Sequence, residues 1–221
     1  MVSDDDVSLI LSKMAQAITR ISRYKRLGQP MKAMTHLQET LREVLGMNPK
    51  SLGWFSHRDL MQIISRGGEP DPKRCLLLAR LFKERGELDE WRGDERGAYE
   101  NRVKSLNIYL ECMTPPLSEQ VPESYRQETE DLMDELVSTL DSYRLPPQTL
   151  LLMLNFHEKR GNYAEAEDIL FELLEQPGSE QERNDWVKTG LAFYERLLEK
   201  SRRELDRGAL PHEDVLQNMQ E

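Results

Sequence analysis

A chain of 221 residues can hold one large domain or two small ones, and its 38% hydrophobic and 32% charged content, against the usual ~45–50% and ~25%, fits a thin helical fold with much solvated surface. Valine, isoleucine and threonine are sparse beside leucine, glutamate, arginine and lysine, which disfavours strands. The net charge of −10 is uneven: residues 1–110 carry 19 Lys+Arg against 15 Asp+Glu, and 111–221 carry 11 against 25, which argues against general nucleic-acid binding and permits, without demanding, head-to-tail association of copies.

The N-terminus opens with Asp4, Asp5 and Asp6 where a secretory signal needs positive charge, and no apolar run approaches the ~20 residues of a membrane span, so a cytoplasmic protein without membrane contact is expected. Those aspartates can cap a first helix with Val7, Ile10, Leu11, Met14, Ala17, Ile18 and Ile21 on one face. Gly28 ends it. Pro30 suits the first turn of a second helix striped by Ala33, Met34, Leu37, Leu41, Val44 and Leu45. After the Asn48-Pro49 break, Ser56 and Asp59 can form a capping box, with Phe55 meeting Leu60 as a hydrophobic staple, and Gly67-Gly68 closes this short unit. Trp54-Phe55 can anchor a peptide if exposed, but the staple favours packing.

Pro72 starts a long helix through Leu76, Leu77, Ala79, Leu81, Phe82 and Leu88, which turns at Gly93 into another through Ala98, Val103, Leu106, Ile108 and Leu110. A proline-containing loop leads to a helix over 124–143 with Leu132, Leu136, Val137 and Leu140 inward. The segment from Leu150 to Pro177 then reads as a hairpin: Leu150, Met153, Leu154 and His157 precede Gly161-Asn162, and Ala166, Ile169, Leu170, Leu173 and Leu174 follow. A helix over 179–206 carries Trp186, Val187, Leu191, Tyr194, Leu197 and Leu198, and a short acidic tail helix follows Gly208 and Pro211.

Three hairpins this short cannot each bury an apolar face, so they are expected to stack. Gly28, Gly93 and Gly161 are 65 and 68 residues apart, close to twice the ~34-residue period of tetratricopeptide repeats. Tyr24, Ala33 and Leu37 fit the repeat's tyrosine, small and large positions; Phe82, Gly86, Gly93, Ala98 and Ser105 fit in the second hairpin, and Gly161, Ala166 and Leu170 in the third. Arg20, Arg85, Asp89, Arg102 and His157 depart from the pattern, so the repeats are degenerate. The expected fold is all-α: tetratricopeptide-like helical hairpin repeats forming an α-α superhelix of about nine to ten helices, a single domain over 1–221 with N-terminal hairpins over 1–112 and acidic helices over 122–221. An irregular helical bundle is the plainer alternative. With LREVLGMNP and the GGEPDP segment, the chain resembles a family of uncharacterised bacterial tetratricopeptide-like proteins, a resemblance that brings no activity.

No catalytic or metal constellation emerges. His36, His57, His157 and His212 are scattered, Cys75 and Cys112 have no metal spacing and are expected as buried thiols, and Glu165, Glu167 and Asp168 read as a solvated face. Catalytic, metal and cofactor residues are therefore none, and an enzyme is not expected. The candidate surface is Lys13, Gln16, Arg20 and Arg23, a row at helical spacing off the apolar stripe. The resemblance implies that first helices line a concave groove, where such a row would receive an acidic peptide; a solvated face is the bland alternative. The expected function is a non-enzymatic protein- or peptide-binding scaffold, with a small-molecule sensor holding its ligand between helices as the alternative. For the hairpin itself, Ala166→Asp places a charge at a tight helix contact and is expected to cost at least about 3 kcal/mol, read as a large drop in melting temperature.

Overall fold

The structure, a computed structural model, describes residues 4–65 and 69–218, with side chains from Leu11 onward and Lys50 excepted. Eleven α-helices and two short 3₁₀ segments make up its regular structure, with no strand among the described residues. They form two compact units, residues 1–144 and 145–221. The expected closure at Gly67-Gly68, and the side chains of Asp4 to Asp6, Val7 and Ile10, lie outside what is described.

The first unit holds α1 (Asp4–Arg26), α2 (Pro30–Leu45), α3 (His57–Ile63), α4 (Pro72–Trp91), α5 (Glu95–Met113) and α6 (Glu123–Leu140). The hairpin turns form where expected: Gly28 and Gly93 take φ of 66° and 77°, a left-handed conformation costly for other residues. Asp71 caps α4 by accepting from the Lys73 and Arg74 amides, and Asp94 caps α5 through Gly97. The Ser56–Asp59 capping box is present in both directions.

Helix α4 is the axis of this unit. It packs against α1, α2 and α5, and it runs in the same direction as α1: Ala15 and Ile18 sit with Leu76, Leu77 and Arg80 around one cavity, while Lys25 reaches Glu84 further along. Leu37, Leu41, Leu78, Leu81, Phe82 and Leu106 are fully buried in the core. Against α5 the approach is close. Ser105 Oγ donates to the Ala79 carbonyl at 2.7 Å, and a Cβ on Gly86 would meet Arg102 Cγ at 2.8 Å and the Ala98 carbonyl at 3.1 Å. Arg102, at the repeat's large apolar position, is buried: its stem covers Gly86 while Nη2 donates to exposed Glu90 at 2.5 Å.

Two expected stripes are corrected. On α6 the buried residues are Thr129, Met133, Leu136 and Leu140, and Val137 is exposed, because the stripe is rotated by part of a turn toward Met133. The second unit contains α7 (Pro147–Arg160), α8 (Tyr163–Leu174), α9 (Glu180–Leu198), α10 (Arg202–Arg207) and α11 (His212–Asn218). Here α9 turns Trp186, Gly190, Phe193, Tyr194 and Leu197 inward, so Val187 and Leu191 lie outside. The helix expected over 179–206 is two helices, since Ser201 and Glu204 form a capping box that starts α10 anew.

Gly161 makes the α7–α8 turn at φ 79°, Ala166 is fully buried, and Gly190 is seated against Leu170. Gly208 lies so close to Tyr163 that a Cβ would meet its ring at 2.3 Å and the Gly161 carbonyl at 2.5 Å; its own carbonyl accepts from the Ala164 amide at 3.0 Å. For the first unit, Gly86→Ala is expected to force α4 and α5 apart and cost about 1–3 kcal/mol, measured as a lower urea midpoint with an unchanged slope.

Candidate functional site

The α1 row is exposed along its length, but it does not stand alone. Lys13, Gln16 and Arg20 line a shallow cleft of about 150 Å³ whose other wall is His36, Glu39 and Glu43 of α2. Lys13 Nζ lies 3.3 Å from Glu43 Oε2, and Gln16 donates to Ser12 Oγ. Arg23 is exposed on the same helix outside that cleft. Much of the row's positive field is therefore met by α2 carboxylates.

A denser set of charges lies inside the unit. Lys25 of α1 reaches Glu84 at 2.8 Å and also pairs with Glu87; Lys83 reaches Glu87 at 2.5 Å and Glu135 of α6 at 2.7 Å. Arg80 lies 3.4 Å from Glu84 and 3.6 Å from Glu128. Glu84 is only 3% exposed at its side chain, whereas Glu128 is 69% exposed, so the network runs from a desolvated centre to a solvated edge on α6. Beside it a pocket of about 220 Å³, open to solvent, is walled by residues of α1, α4, α5 and α6, among them Ile18, Leu77 and Leu132. Tyr109 is among the residues that line this pocket; its side chain is buried, with no hydrogen-bond partner for its hydroxyl among the described residues.

Other residues singled out in the sequence fall differently. Trp54 is 87% exposed, contrary to the expected packing: the capping box forms without it, and only Phe55 is half-buried. Lys104 fixes this segment by donating to the Leu52 carbonyl at 2.8 Å. Glu167 is not on a solvated face; it is buried and accepts from the Tyr194 hydroxyl at 2.8 Å and from Asn218 at 3.0 Å. The buried thiols of Cys75 and Cys112 meet across α4 and α5, and that contact together with burial holds Cys112 well above the usual thiol range. His57, also buried, lies 3.1 Å from Glu111 Oε1, which Arg58 Nε approaches at 2.7 Å. Among the described residues no group of three or more His, Cys, Asp or Glu could hold a metal ion.

The second unit contains a feature that sequence reasoning missed. Lys159, Arg160, Arg196, Lys200 and Arg207 line one open groove of about 540 Å³ around Gly161 and Asn162. Its carboxylates are Glu158, Glu199 and Glu204. Glu158 is occupied by a bidentate pair with Arg196, at 2.6 and 2.8 Å, and Glu204 by the cap on Ser201. Arg160 lies over the Phe156 ring at 5.1 Å, and Lys200 and Arg207 act on the Glu204 carboxylate, so the groove sets five cations against three carboxylates, a surplus of two positive charges in a half of the chain that is otherwise acidic. The pair Lys159-Arg160 was the available signal, but only the turn at Gly161 and the break after α9 bring it together with Arg196, Lys200 and Arg207.

With these geometries in hand, the profile of a family of unknown function, DUF6483, matches residues 1–221. The chain belongs to this family. No curated protein and no solved structure matches it. Among the described residues of this DUF6483 chain, no helix is long and apolar enough to cross a membrane.

The ionic network carries a pH dependence. Burial alone would raise the Glu87 carboxyl, but hydrogen bonds from Lys25 and Lys83 outweigh it and hold it below 4.5; Glu111 is held low in the same way by His57 and Arg58. Their contribution is present above the unfolded value and lost as pH falls through the folded one. Burial pulls the Lys25 ammonium down, but its bonds to Glu84 and Glu87 more than reverse this, so its contribution persists below 10.5 and is lost at higher pH. Urea unfolding from pH 7 to pH 3 is expected to show falling stability, and Glu87→Gln is expected to lose less over that range than wild type.

Proposed function

We infer that this protein is a non-catalytic binding module that receives an acidic segment of a protein partner, and that the basic groove of residues 145–221 is where it does so. The reading rests on the surplus of positive charge around Gly161, five cations to three carboxylates, in an acidic half of the chain and in a groove open to solvent. Long cationic side chains at the ends of α7, α9 and α10 suit carboxylate-rich peptides, whose attraction is electrostatic, salt-dependent and tolerant of sequence. The α1 row of Lys13, Gln16, Arg20 and Arg23 is assigned a lesser part, since Glu39 and Glu43 face it. A tetratricopeptide-like repeat architecture, of bacterial type as the sequence resemblance suggests, supports the same reading: glycine-turned hairpins, parallel α1 and α4, and small residues at the α4–α5 contact. Two buried free thiols accord with a cytoplasmic setting.

A fluorescein-labelled peptide of ten glutamates, titrated by anisotropy, is expected to bind in low salt and to weaken steeply as salt rises. Lys159, Lys200 and Arg207 changed together to glutamate should weaken it at least about tenfold with helicity intact, and a deca-lysine peptide should not bind to the wild-type groove. Equal binding by the triple variant would overturn the assignment.

A further inference from the structure

The cavity of the first unit has the composition of a ligand site, and it lies outside the groove assigned above. Its apolar wall comes from Ala15 and Ile18 of α1, Leu76 and Leu77 of α4, and Leu132 of α6, with the ring of Tyr125 at one side. At about 220 Å³ it has room for a one-ring or branched-chain molecule with a small polar head, and it is open to solvent, so such a molecule can enter without the helices parting.

The polar groups specify that head. Tyr109 is 1% exposed and its hydroxyl has no partner among the described residues; buried Asn107 and Thr149 also carry an unpartnered side-chain oxygen, but Tyr109, unlike them, lines this pocket. Burial pushes the phenol well up from its ordinary value, so it stays protonated and can donate. An acceptor is what it lacks.

Arg80 is the second group. Its Nε is 3.4 Å from Glu84 and its Nη1 3.6 Å from Glu128, both longer than the ~2.7–2.9 Å of a tight guanidinium–carboxylate pair. Glu84 is shared, since its other oxygen already takes Lys25 at 2.8 Å. The buried part of the network holds Lys25, Arg80 and Lys83 against Glu84 and Glu87, and the remaining balance comes from Glu128 and Glu135, which are more than half exposed on α6. Glu128 can swing to solvent at little cost, leaving Arg80 a planar donor edge for another anion.

From the cavity, the unpartnered Tyr109 hydroxyl and the loosely held Arg80 beside it, we propose that the first unit binds a small apolar monocarboxylate, its carboxylate on Arg80 and Tyr109 and its hydrocarbon body against Ile18, Leu77 and Leu132. The carboxylate takes the place of Glu128 at Arg80, so the charge of the network is conserved on binding. Burial of the hydrocarbon and the donor at its head act together, and neither an alcohol nor a longer diacid satisfies both.

The test uses the full chain with benzoate, phenylacetate and 4-methylpentanoate as probes, and benzyl alcohol as the neutral analogue, read by thermal unfolding and isothermal titration. At least one carboxylate is expected to raise the melting temperature in a dose-dependent way, with benzyl alcohol at least tenfold weaker than benzoate. Tyr109→Phe removes only the hydroxyl; its unliganded melting temperature is expected at or above wild type, with carboxylate affinity reduced at least tenfold. Leu132→Trp, which fills the cavity from α6, is expected to abolish the shift and stands as the second variant should one fail to fold. No shift with any of the three carboxylates, equal affinity for benzyl alcohol, or undiminished binding by Tyr109→Phe would each overturn the proposal.

Discussion

Helix α4 is covered on so many sides that the charges it carries have little water to turn to. Arg74, Lys83, Glu84 and Asp89 are all buried on this one helix, and a lone ion there would cost several kcal/mol. The rest of the first unit answers that constraint. Lys25 comes from α1 to reach Glu84 and Glu87, Glu135 comes from α6 to reach Lys83, and Asn101 comes from α5 to donate to Asp89 at 2.8 Å. Helices α1, α5 and α6 thus each contribute both an apolar stripe and a charge or amide of the right kind. Apolar stripes alone allow helices to slide by a turn; these pairs allow one register. The stability of such a network is modest, because desolvation offsets most of the attraction, and its effect is chiefly on which arrangement is reached.

The same need for pairing explains what was legible in the sequence. Features set by backbone chemistry within a few residues could be read directly: the turns at Gly28, Gly93 and Gly161, the proline starts of α2 and α4, the box at Ser56 and Asp59. The close contact of α4 with α5 was legible too, because Gly86, Ala98 and Ser105 are small at spacings a helix makes adjacent. Where periodicity had two near-equal solutions, on α6 and α9, the sequence reading took the wrong side for Val137, Val187 and Leu191. Both helices carry apolar residues over more than half a turn, and only neighbours decide which of them face inward. The break before α10 was marked by Ser201 and Glu204, a signal masked by the continuous helix-forming composition around it.

The sites were less legible, and for a different reason. The α1 row was visible because its residues share one helix, yet its electrostatic meaning depends on Glu39 and Glu43 of α2, which no spacing rule connects to it. The basic groove and the Tyr109 cavity draw on three or four segments each. Glu167 looked solvated beside two other acids and is instead the acceptor for Tyr194 and Asn218, a role fixed by α9 and α11. Half-chain charge totals concealed the groove by averaging it with the acidic helices around it.

Gly208 gives the second unit a latch. With only a hydrogen where a side chain would strike Tyr163 and the Gly161 carbonyl, the segment after α9 seats directly on the turn that begins α8. Lys200 and Arg207 ride on that segment, while Lys159 and Arg160 belong to α7 and Arg196 to α9, so two of the groove's five cations are in place only when the segment is seated. Local opening of the chain's end and occupancy of the groove are consequently one thermodynamic equilibrium. An anionic guest would slow amide exchange and proteolytic nicking across residues 199–210, and a clipped end would strip the site of Lys200 and Arg207 together with the buried Leu205, Leu210 and Val215.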